Sequence, residues 1–138
     1  MPIKYKVLNN GNLVIVQWVG DVSFSEMIEH NEILLQDSSI VPGATVLTDT
    51  TKADAVNLEI SRIHELVEIH QRPDNLTSIS RYAVLVSTES LEFANAVAEE
   101  AEKVGVSIIV FASIDVAALW VGLETSQIIE ALTELSKR

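Results

Sequence analysis

The chain contains no cysteine. That removes disulfides, a thiolate nucleophile and every cysteine-ligated zinc site. Its apolar residues are interrupted often enough that no run approaches the ~18 needed to cross a bilayer as a helix. The first residues, Met1-Pro2-Ile3-Lys4-Tyr5, lack the apolar core of a secretory signal, so a cytoplasmic location is expected. Positive charge is scarce: nine Lys and Arg stand against twenty Asp and Glu, for a formal net charge of −11. The basic residues are scattered and form no stripe interleaved with aromatics, so neither a nucleic-acid partner nor membrane insertion is expected. Glycine is limited to five residues, and none forms a Gly-rich loop that would let the backbone cradle a phosphate.

What is present is an ordinary globular balance, with 48% hydrophobic and 21% charged residues over 138 positions, enough for one domain. The order of the apolar runs predicts its class. Lys4–Leu8 and Leu13–Val19 flank Asn9-Asn10-Gly11-Asn12, whose residues tolerate the positive φ of a tight hairpin turn. Thr45–Thr48, Tyr82–Val86 and Ser107–Phe111 follow, each succeeded by a helical pattern. An α/β domain is expected, with a five-stranded mixed sheet, an N-terminal β-hairpin and β-α repeats. Ser23 or Ser25 is expected to cap a helix whose buried face carries Phe24, Met27, Ile28, Asn31, Leu34 and Leu35. Residues 50–56 read as a loop, Asn57 as the N-cap of a helix to about Gln71, and Gly105 as the C′ residue of the next one. Ser113 caps a short helix ending at Gly122. Residues 123–138 form a separate amphipathic helix appended to a 1–122 domain.

The arrangement over residues 3–122 resembles the SpoIIAA-like (STAS-like) group of small bacterial proteins, in its stand-alone branch without assigned function. The likeness rests on the hairpin with Leu13-Val14-Ile15-Val16-Gln17-Trp18 and on the strands Thr45-Val46-Leu47-Thr48-Asp49 and Ala83-Val84-Leu85-Val86-Ser87. It also rests on the ending Ile109-Val110-Phe111-Ala112-Ser113-Ile114-Asp115-Val116-Ala117-Ala118-Leu119-Trp120-Val121-Gly122. The resemblance implies a non-enzymatic protein-interaction or regulatory module like the anti-sigma-factor antagonists. Those are switched by phosphorylation in an Asp-Ser-Ser-Gly turn. The matching stretch here, Ala53-Asp54-Ala55-Val56-Asn57-Leu58-Glu59-Ile60, has neither serine nor glycine, so that switch does not transfer; Thr50 and Thr51 are the nearby hydroxyls. The group is also structurally similar to CRAL-TRIO lipid-transfer domains, which implies the alternative of a binding protein for a small apolar or lipid-like ligand.

If the sheet is largely parallel, a ligand is expected at the carboxyl ends of its strands. Asp49, Thr50 and Thr51 would end one strand, Ser87 and Thr88 another, and Ser113 would follow the last. Hydroxyls beside helix N-termini favour an anion, but Asp49 opposes one and each hydroxyl has a capping role of ~1 kcal/mol. No cofactor is expected. His64 and His70 are six apart, about 120° from sharing a helical face, and His30 lies on another helix, so no metal centre is expected; His70 should pack partly while His30 and His64 stay solvated. No serine occupies a nucleophile elbow, and no catalytic residue is assigned. The stripe Ile128, Ile129, Leu132 and Leu135 must be covered, by its own sheet or by a second copy in a homodimer to which Trp120 would add. Its burial is worth on the order of 6–10 kcal/mol before ordering costs.

Overall fold

A computed structural model describes residues 2–138. Five strands, β1 (Ile3–Leu8), β2 (Leu13–Val22), β3 (Ala44–Val56), β4 (Ile79–Leu85) and β5 (Ile108–Phe111), form one sheet in sequential order. β1 pairs antiparallel with β2 and all other neighbours are parallel. The α/β class, the mixed five-stranded sheet and the hairpin thus agree with the sequence. In the turn, Asn9, Asn10 and Gly11 all take positive φ.

The helices are α1 (Phe24–Leu35), α2 (Ile63–His70), α3 (Leu91–Lys103), α4 (Ile114–Val121) and α5 (Thr125–Ser136). Ser23 caps α1 in a reciprocal capping box with Glu26, and Ser113 Oγ accepts from the Val116 amide. Gly122 ends α4 in the left-handed region. Each crossover between parallel strands steps one place in the same direction. With crossovers of one hand, α1, α2 and α3 must share one face of the sheet, which leaves the other face to α4 and α5.

Two expectations need correction. β3 does not stop at Asp49 but runs to Val56, because β2 extends through Gly20-Asp21 to Val22. Val19–Val22 pairs with residues 52–56 across two register shifts. The hydrogen bonds supplied by that partner strand override a local composition that reads as loop. Asn57 caps no helix: the chain enters α2 through one 3-10 turn at Ile60–Arg62. Of the two partners left open for the α5 stripe, its own sheet covers it. Ile128, Leu132 and Leu135 are 0%, 8% and 0% exposed and pack with Leu13, Ile15, Leu47 and Leu85. Only Ile129 of that stripe faces outward, 49% exposed.

Gly11 shows how tightly the hairpin turn is tied to the rest. Its carbonyl accepts from the Val41 amide at 2.8 Å. A Cβ there would lie 2.4 Å from the Ser39 carbonyl oxygen and 2.9 Å from Val41 Cγ2, at φ +95°. Gly11→Ala is expected to cost about 2–3 kcal/mol of stability from strain and overlap. Gly43→Ala, which meets nothing within 4 Å at φ +86°, should cost only the backbone term of about 1 kcal/mol. Urea denaturation of both variants checks the contrast.

Candidate ligand cavity

The two faces of the sheet are packed differently. Beneath α4 and α5 the core is closed: Ile15, Leu47, Leu85, Ile128 and Leu135 are all 5% exposed or less. Under α1 the opposite face buries Val14, Val16, Met27, Leu34 and Val46, of which Met27, Leu34 and Val46 also border the second lobe described below. Toward β4 and β5 it is not closed. Val84, Val97, Ile108 and Val110 remain half-buried, and Ala101 is the one buried residue of α3. This is a consequence of sequence: on its inner side α3 offers Ala94, Val97, Ala98 and Ala101, side chains too short to fill the space over the strands.

The result is a cavity with two adjoining lobes, about 360 Å³ and 240 Å³, in the size range of small-molecule sites. Trp18, Thr48, Leu58, Val84, Val97 and Ile108 line both. The first lobe opens beside the exposed residues Asp54, Glu89, Ser90 and Phe93. The second ends at a polar relay. The Tyr82 hydroxyl lies 2.6 Å from His70 Nδ1 and 3.1 Å from Nε2, His70 Nε2 donates to Asn31 Oδ1 at 2.8 Å, and Asn31 Nδ2 donates to the Met27 carbonyl at 2.7 Å. The Asn31 pairing sets the tautomer, because Asn31 Nδ2 is engaged by Met27 and leaves Oδ1 to accept from Nε2–H. Burial lowers the His70 pKa to about 4 and raises that of Tyr82, keeping both neutral. His30, expected to be solvated, instead lines the second lobe and meets Tyr5 edge-on, with ring centroids 5.8 Å apart. Burial, with a smaller contribution from His70, takes its pKa down to about 4 as well. Trp18 Nε1 is buried out of reach of solvent, with no hydrogen-bond partner among the described residues.

The polar residues singled out from the sequence do not gather at one site, although Asp49 and Thr51 hydrogen-bond to each other. Asp49 lies within β3, is 4% exposed, and shares the α5 face with Leu47. It accepts from the Thr51 amide and hydroxyl at 2.9 and 2.7 Å. Its cross-strand neighbour Gln17 donates to the Leu132 carbonyl and accepts from Ser136 Oγ, fastening the end of α5. Thr50 projects to the opposite face, where it lines the first lobe and donates to the Leu85 carbonyl at 3.0 Å. Ser87 Oγ donates to Ser90 Oγ, Thr88 is exposed, and Ser113 serves as a cap. Trp120 is half-buried, tilted on Phe111 with the Arg81 guanidinium 4.1 Å over its ring. Reasoning from strand ends therefore located one wall residue, Thr50, and missed Trp18, Thr48, His70 and Tyr82. The available signal was the run of short residues on the inner side of α3, opposite β-branched strands.

Among the described residues no helix is long and apolar enough to cross a membrane. Set against family models, curated proteins and solved structures, the chain finds no match in any of the three.

Proposed function

We propose that the protein is a binding protein for a small apolar or amphipathic molecule, held between the sheet and α3. The observation that supports this is the contrast between the two faces. The α4/α5 face is packed to near-complete exclusion of water, while apolar side chains over β4 and β5 border open space. Interiors are ordinarily close-packed, and unfilled apolar surface forfeits contacts that an apolar guest restores. The regulatory-module reading rests on the SpoIIAA-like resemblance alone.

Full-length protein titrated with the neutral dye Nile red is expected to bind it with a blue-shifted emission. Val97→Phe, which fills the junction of the lobes, should weaken binding at least tenfold, as should Ala94→Phe one turn earlier on α3. Both should keep or raise the melting temperature, because they occupy space rather than overpack it. Dye binding that is unaffected in both variants would place the dye outside the cavity and sink the proposal.

A further inference from the structure

β1 forms one edge of the sheet, paired with β2 on its inner side alone. The Val19 amide donates to the Pro2 carbonyl at 2.9 Å, which sets the alternation of the ladder. Lys4 and Lys6, opposite Gln17 and Ile15, turn their backbone groups toward β2, so Ile3, Tyr5 and Val7 turn theirs outward. The Tyr5 carbonyl accepts from Arg138 Nη1 at 3.3 Å. No other outward group has a partner among the described residues.

Exposed edges are ordinarily defended by charged side chains, lysine above all. Here Lys4 donates to the Leu135 and Arg138 carbonyls and Lys6 pairs with Glu134. Both lysines are folded onto α5 and leave the strand's backbone bare. An open groove of about 890 Å³ runs along it. Its α1 wall carries Glu26, Glu29 and the exposed Ile33, and its other wall carries Lys4, Lys6 and Arg138. Side chains of an added strand would alternate between these two walls.

We infer that this edge takes up an extended peptide segment as a sixth strand, antiparallel to β1. On the α1 side the segment carries basic residues flanking an apolar one, and on the α5 side it carries acidic residues. Its backbone satisfies the outward N–H and C=O groups. Its charges meet Glu26 and Glu29 on one face, Lys4 and Lys6 on the other. A second copy of this chain is a poorer occupant. Pairing β1 with itself brings Glu26 and Glu29 toward their counterparts and sets lysine against lysine, between molecules of net charge −11 each. The inference does not depend on the ligand binding proposed above.

The test uses the full chain and the peptide acetyl-Thr-Lys-Glu-Val-Glu-Lys-Thr-amide, whose zero net charge removes non-specific attraction to an acidic protein. Amide hydrogen exchange read by NMR should find Ile3, Tyr5 and Val7 unprotected in the free protein and protected when the peptide is saturating. N-methylation of the peptide's valine, whose N–H points at β1, should abolish binding. N-methylation of its glutamates, whose N–H groups point away, should be tolerated. Val7→Pro removes one outward donor and spares the ladder bonds of Lys6 and Leu8. It should weaken the peptide about three- to tenfold, the loss of one hydrogen bond. Glu29→Lys, at an exposed position, should weaken it about threefold without touching the fold. Peptide that leaves the three amides unprotected, or that binds equally well with either N-methylation, would overturn the inference. So would a doubled mass by light scattering with those amides already protected before peptide is added, since a second copy would then hold the edge.

Discussion

A chain ending at Gly122 is expected to lose cooperative folding, although sequence periodicity marks that residue as a domain boundary. Removing α5 uncovers Leu13, Ile15, Leu47 and Leu85, which it packs against. It also strips the partners from Gln17, leaving a buried amide unsatisfied. Each large-to-small change in such a core costs about 2–5 kcal/mol. Loss of Ile128, Leu132 and Leu135 together is therefore as large as the whole margin of a typical domain, about 5–15 kcal/mol. Leu135→Ala alone should lower the unfolding free energy by about 3 kcal/mol or more. Circular dichroism with urea titration measures both. A truncated chain that melts cooperatively near the full-length temperature would show that α5 is an accessory.

The second large effect is a loss of stability on mild acidification. His30 and His70 have pKa values near 4 in the folded protein, against an ordinary 6.5. Between those values the unfolded chain binds protons that the folded chain does not, so unfolding is favoured as pH falls. The stabilisation is fully present above about 6.5 and is spent by about 4. For the two rings together it is on the order of 5 kcal/mol. The carboxylates held low act in a different window. Asp37, stabilised as the anion by Ser39 and Tyr5, loses its contribution only below the ordinary value of 3.8. Unfolding free energies measured across this range should therefore drop before the carboxylates titrate. His30→Phe should remove about half of the drop. A flat profile down to pH 4 would mean that both rings remain protonatable in the native state. Because both rings line the second lobe, their protonation also places charge against any apolar occupant.

The fold was legible wherever local chemistry and long-range packing agree. Asn9-Asn10-Gly11 adopts positive φ, Ser23 and Ser113 cap the helices that their positions announce, and Gly122 closes α4. It was illegible where distant partners decide. Nothing in Thr50–Val56 signals a strand without β2 bulging alongside it. The stripe on α5 likewise fits its own sheet or a second copy until strand order assigns a bare face to it. The candidate site was the least legible part. A half-filled space is a property of volumes across three helices and a sheet, and Val, Leu and Ile spell core and cavity with the same letters. Trp18 reads as one more apolar residue of β2, and only its neighbours reveal that its N–H lacks a partner.

The strictly sequential strand order sets a timetable for biosynthesis. All three crossovers cover the same side of the sheet, so β1 to β5 can be complete while the other side remains uncovered. Lys4 Nζ donates to the Leu135 carbonyl and Arg138 donates to the Tyr5 carbonyl, joining β1 to α5, which is made after the whole sheet. A nascent chain on the ribosome therefore carries a greasy, unroofed sheet until α5 clears the exit tunnel. For that interval its uncovered apolar surface is open to non-native association.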